Sequence, residues 1–245
     1  IIIIGGIIWW SQTQQPAAEK EPIKIGVILP LSGNASTYGL SAKDGIDLAL
    51  EELNATQKRK IELIYEDSQC NPGKAVSAAQ KLINIDDTKI IICEICSSAI
   101  LAVAPIAEES KIILFSPGAS SPELKHAGDY IFRNRLDISD EVSKTAEIVK
   151  NFNIDKIAII YVNNDYGVSS KDIFANRFIK LKGEIELAEN YPQDATDFRT
   201  QLTKIKQTEA EAIFLAGLIK ESATIIKQAS ELGIRLRFFS TIGVE

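Results

Sequence analysis

From residue 23 onward the chain alternates short apolar runs with stretches in which apolar residues recur every three or four positions. KIGVILP (24–30), IELIYED (61–67), KIIICE (89–94) and KIILFSP (111–117) have the β-rich composition and length of buried strands. Between the first two, Ile46, Ala49, Leu50 and Leu53 fall at i, i+3, i+4, i+7 and predict one apolar helical face. Val76, Ala79, Leu82 and Ile83 repeat that period after Pro72, and the stretch 99–109 supplies a third helix. Helices between strands in this order predict a parallel sheet covered on both faces.

The alternation then restarts. Helices are predicted over 140–151, 166–182, 198–206 and 221–232, with strands KIAIIYV (156–162), EIELAENY (184–191), AEAIFLAG (210–217) and RFFSTI (237–242) between and after them. Two successive α/β units predict two lobes, residues 23–137 and 138–245, joined by a crossover near 133–140. At 245 residues, 45% hydrophobic and 24% charged, the chain can bury a core in each, so disorder is not the default. A net charge of -6, with no basic run longer than Lys58-Arg59-Lys60, argues against nucleic acid as a partner.

The first ten residues, IIIIGGIIWW, start without Met and are too few to cross about 30 Å of hydrocarbon. With Trp9 and Trp10 suited to a membrane interface, they read as the end of an apolar segment, followed by the polar linker 11–22. No A-x-A cleavage pattern follows and no Cys is there to accept lipid, so an uncleaved anchor is expected rather than a removed signal. Either reading exports the rest of the chain. The stop at Glu245, directly after a strand, reads as a second cut end.

Three cysteines are present, two of them in C-x-x-C spacing, Cys93 and Cys96. A redox pair needs an exposed thiol at a helix start, whereas Cys93 falls inside an apolar strand; a zinc site needs further ligands, and the sole His, His126, is remote in sequence. The remaining option joins Cys70 to Cys96, in the loops after strands two and three, read as neighbouring strands, and leaves Cys93 free. Ligands of an open parallel sheet sit outside the carboxyl ends of its strands. Two loops there have suitable chemistry: Cys96-Ser97-Ser98, leading into a helix whose free N–H groups favour a carboxylate, and SPGASSPEL (116–124), where Gly118, Ala119 and Ser120 leave backbone groups approachable. Taken singly, either serine is accounted for by ordinary helix capping; the two loops together point to binding.

These motifs, in this order, resemble the periplasmic solute-binding proteins of branched-chain amino acid ABC transporters. The matching stretches are KIGVILPLSGNASTYG (24–39), EDSQCNPGKAVSAAQKL (66–82), ICSS (95–98), SPGASSPEL (116–124) and NNDYG (163–167), within a likeness running from about Ile23 to Val244. The resemblance implies the two-lobed Venus-flytrap fold (periplasmic binding protein type I, α/β), an extracytoplasmic monomer, no cofactor, and a small solute closed between the lobes and handed to a membrane permease. It implies a Cys70–Cys96 disulfide, Ser97 and local N–H groups on the ligand carboxylate, Gly118 and Ser120 on its α-amino group, and Tyr38 and Tyr166 lining the cleft. Two positions depart from the family: its acidic partner for the ammonium falls on Ile242, and a second-lobe aromatic falls on Leu218. Either Glu245 or Asp165 then substitutes, or the ligand lacks an amine, as a short amide or carboxylate does. Catalysis is not expected, because the chain has no phosphate-binding loop and no G-x-S-x-G elbow. The same cleft could instead serve a membrane sensor as its ectodomain.

Overall fold

The computed structural model describes residues 21–241. The apolar run 1–10, most of the linker, Ile242 and Glu245 lie outside the described residues. Among the described residues no helix is long and apolar enough to cross a membrane.

The chain forms two parallel sheets. The first contains β1 (Ile23–Leu29), β2 (Ile61–Asp67), β3 (Ile90–Cys93), β4 (Ile113–Ser116) and β5 (Ile131–Arg133), in the order β2-β1-β3-β4-β5. Between them run α1 (Ser36–Thr56), α2 (Pro72–Asn84) and α3 (Ser97–Ser110), with a 3-10 turn at Pro122–His126. After a crossover, α4 (Ser139–Asn151) leads into the second sheet, built from β6 (Lys156–Val162), β7 (Glu184–Tyr191), β8 (Ala212–Ala216) and β9 (Arg237–Ser240). Its order is β7-β6-β8-β9, with α5 (Asp165–Lys180), α6 (Arg199–Ile205) and α7 (Ile219–Glu231) as connections.

Both sheets are cored as their apolar runs require. Ile28, Ile91, Leu114, Leu82, Ile100 and Val103 close one cluster between the first sheet and α2 and α3. In the second unit Phe214 of β8 stacks on Phe174 of α5 at 4.1 Å between ring centroids, and Phe174 stacks in turn on Phe178 at 5.5 Å. Burying each such ring contributes roughly 2 to 3 kcal/mol.

Three local expectations need correction. Strand β5 was not anticipated, since three residues with a half-exposed Phe132 leave no run to detect. The strands carrying Cys70 and Cys96 at their ends are not neighbours, because β1 lies between β2 and β3. The predicted face of α1 is present but little covered: Gly39 is its one buried residue, while Ala49, Leu48 and Leu53 are exposed.

Candidate functional site

In each sheet a crevice opens where consecutive connections leave the first strand toward opposite edges. In the first sheet that point is between β1 and β3; in the second it is between β6 and β8. The carboxyl ends of the two sheets meet around a cavity of about 470 Å³. The first unit lines it with Ala35, Thr37, Tyr38 and Ser41 beyond β1, Cys70 beyond β2, Ile95 to Ser98 beyond β3, and Gly118 and Ser120 beyond β4. Asn164 and Tyr166 beyond β6 and Leu218 and Ile219 beyond β8 complete it from the second, with Arg135 entering from the crossover.

The β3–α3 corner is built for an acceptor oxygen. Cys96 occupies the N-cap position of α3 and no side chain caps the helix, so the first-turn N–H groups at Ser97 and Ser98 face the cavity end without a side-chain partner. Ser97 is 2% exposed, and its Oγ accepts from the Ser121 N–H at 3.1 Å. That bond leaves the hydroxyl hydrogen to donate, and it ties the β3 and β4 loops together. Ser97 is therefore not the cap that its sequence position suggested. Gly118 permits the close approach of these loops, since a Cβ there would stand 2.7 Å from Ile95 Cγ2. Ser120 is 5% exposed, with its carbonyl accepting from the Ile138 N–H at 3.0 Å and its side chain on the wall. Ala119 does not line the cavity: its methyl is buried in the first core and its N–H donates to Ser116 Oγ at 2.9 Å.

Both tyrosines line the cavity, but from the first turns of helices rather than from loops. Each precedes a glycine on which the next turn closes against a strand end. A Cβ at Gly39 would meet the Pro30 carbonyl oxygen at 2.1 Å, and one at Gly167 would meet that of Val162 at 2.0 Å. Tyr38 Oη accepts from the Ile219 N–H at 3.3 Å, a contact between the units, and Tyr166 Oη shares a hydrogen with Thr241 Oγ1 at 2.5 Å. Burial raises both phenols, Tyr166 to about 12, so both stay neutral at physiological pH.

Further bonds cross between the units on the same side. Gln193 Nε2 donates to the Cys70 carbonyl at 3.1 Å, Lys220 Nζ to the Gly33 carbonyl at 3.2 Å, and Asn34 Nδ2 to Glu221 Oε1 at 3.4 Å. The Cys70–Cys96 disulfide is formed, with Cα atoms 5.6 Å apart, and it bridges the end of β1. Closing this 26-residue separation stabilises the fold by on the order of 3 kcal/mol. Cys93 is a buried free thiol, raised well above its ordinary pKa by burial and then by the neighbouring Glu94 charge.

Glu94 itself is fully buried below the β3–α3 corner, and neither carboxyl oxygen has a well-formed hydrogen bond. Burial pushes its pKa up to about 7, opposed by the nearby Ser68 hydroxyl and the Ile95 and Cys96 N–H groups. Of the carboxylates proposed as substitutes for the family's acidic residue, Asp165 is exposed and is not on the cavity wall. Sequence reasoning missed Arg135, Asn34, Gln193 and Ile219. Their roles come from loops of different units meeting, and nothing in the local pattern marks them.

Two sheets of this topology, with a cavity between their carboxyl ends, define a two-lobed solute-binding fold. Residues 22–244 match the family model of periplasmic binding proteins, and the chain belongs to that family. Its type I fold, expected from the motifs, is the one observed, and the family's location is extracytoplasmic. Among curated relatives, an amino acid binding protein of Pseudomonas aeruginosa is 29% identical over 227 residues, which is 91% of this chain and 61% of the relative. The Leu/Ile/Val-binding protein of Escherichia coli is 25% identical over 232 residues, 93% of this chain and 63% of the relative. The chain thus spans about three-fifths of the length of these relatives.

Solved structures agree. A leucine binding protein from Thermotoga maritima superposes with a TM-score of 0.84 at 28% identity, covering 89% of this chain and 63% of that one. An ABC transporter solute binding protein from R. palustris, in complex with 4-hydroxybenzoate, has the same TM-score at 25% identity, covering 91% of this chain and 62% of that one.

Proposed function

We propose that this protein binds a small carboxylate solute, a branched-chain amino acid or a related acid, between lobes 23–137 and 138–245, and delivers it to the permease of an ABC transporter. The observation that carries this reading is the cavity, walled by both sheets at their switch points, with the uncapped start of α3 and the Ser97 hydroxyl on one side. Ser97, Ser98, Gly118, Ser120, Tyr38 and Tyr166 are the ligand-binding residues in this reading. The names of the relatives support it, since they bind amino acids or, in the R. palustris protein, an aromatic acid. Closure and affinity would then be one free energy, because the solute touches both lobes. The same reading has residues 1–10 hold the protein, a monomer, at the membrane surface, and it assigns no catalysis.

A ligand that binds only the folded state raises the melting temperature. Leucine, isoleucine, valine and a panel of small carboxylates are therefore to be screened by thermal shift on the full-length protein. Stabilisation by one or more is expected, and Ser97→Ala should weaken that ligand by about 1.5 to 3 kcal/mol, the value of a charge-assisted hydrogen bond. A panel in which no solute stabilises the protein would sink the proposal.

A further inference from the structure

The charge on the cavity wall is one-sided. Arg135 is the one charged residue among the described residues lining it, and no carboxylate is among them. The nearby acids are engaged or sealed away. Asp67 accepts from the Leu31, Ser32 and Gln69 N–H groups and from the Ser32 hydroxyl. Glu221 accepts from Asn34 through one oxygen, Glu141 faces the Arg135 guanidinium, and Glu94 lies fully buried under the floor. An ammonium group entering this space would lose its water and meet no carboxylate among the described residues of the wall.

Donors, in contrast, come from two directions. Ser97 and Ser120, 2% and 5% exposed, stand with the start of α3 on the first-unit side. Arg135 enters from the crossover, and among the described residues its one polar contact is long, Nη2 to Glu141 Oε2 at 3.4 Å. A guanidinium has five N–H donors, so this contact leaves most of its fork for a ligand oxygen. Asn164, Tyr38 and Tyr166 add neutral polar groups, and Ile95, Leu218 and Ile219 supply apolar walls for a carbon body between the two donor groups.

We propose that the cavity takes an amine-free carboxylate bearing a second anionic group, with one carboxylate on the α3 start and Ser97 and the second group on Arg135. This rests on the solute-binding reading above and narrows its substrate class. Two matched pairs test it on the full-length protein by titration calorimetry. Leucine and 4-methylpentanoate differ only in the amine; benzoate and terephthalate differ only in the second carboxylate.

The expected result is that 4-methylpentanoate binds at least tenfold tighter than leucine, and terephthalate at least tenfold tighter than benzoate. Arg135→Met should abolish the second preference and keep the first, which a merely structural role for Arg135 would not produce. Leucine binding tighter than its deaminated analogue overturns the inference while leaving the solute-binding reading intact. A terephthalate preference unchanged in Arg135→Met, or absent from the start, also overturns it. Failure of all four compounds, together with the wider thermal-shift panel, removes both readings.

Discussion

The two units place a tyrosine in the cavity by the same device and anchor it in opposite ways. In both, a Tyr-Gly pair opens the helix after the first strand of the sheet, and the absent Cβ lets that helix lie against a strand-end carbonyl. Behind Gly167, α5 buries Ser170, Phe174 and Phe178; behind Gly39, α1 buries nothing further. Tyr166 is therefore fixed by the core of its own unit, whereas Tyr38 takes part of its support from the Ile219 N–H across the cleft. The lesson is that equivalent positions in the two sheets need not be equally rigid, and here the first-unit tyrosine depends more on how the units meet.

The sharpest way to break the comparison is at the helix cores. Phe174→Ala should cost about 4 kcal/mol in urea unfolding, whereas Leu48→Ala on exposed α1 should stay within about 0.5. Next, Gly167→Ala should destabilise by about 3 kcal/mol because α5 cannot yield, and Gly39→Ala by about 1 because α1 can shift. Equal losses in the two glycine variants would show that α1 is as firmly held as α5.

A smaller contrast lies in the buried acids: Glu221 keeps one oxygen on Asn34, while both oxygens of Glu94 lack good partners. Between the ordinary carboxyl value of 4.5 and about 7, folded Glu94 retains a proton that the unfolded chain has released. Stability should therefore fall across that interval by on the order of 3 kcal/mol and level off above it. Glu94→Gln should flatten the decline, and a variant with an unchanged profile would exonerate Glu94. Smallest of all, Tyr166→Phe should cost about 1 kcal/mol through its lost bond to Thr241, measured by the same unfolding assay.

Much of this architecture could be read from the sequence because most of its elements obey a period. IELIYED and EIELAENY coincide with β2 and β7, edge strands with hardly a buried residue, whose short β-rich runs are nonetheless legible as strands. The motif loops likewise brought Ser97, Ser98, Gly118, Ser120 and both tyrosines to one cavity. What failed to show was whatever depends on strand order or on two loops meeting. Neither the separation of β2 from β3 by β1 nor the entry of Arg135 leaves a local trace. Ala119 failed for a different reason: a small residue beside a binding loop looks the same whether its methyl faces ligand or core.

The bridge across the end of β1 has a consequence for when the protein becomes competent. Cys70 and Cys96 are both part of the cavity wall, and the Cys70 carbonyl is one of the points the second unit grips. Before oxidation, the loop after β2 and the start of α3 would be joined by packing alone. In a reducing compartment these two segments would therefore stay unjoined, and formation of the disulfide would be what fixes this side of the cavity.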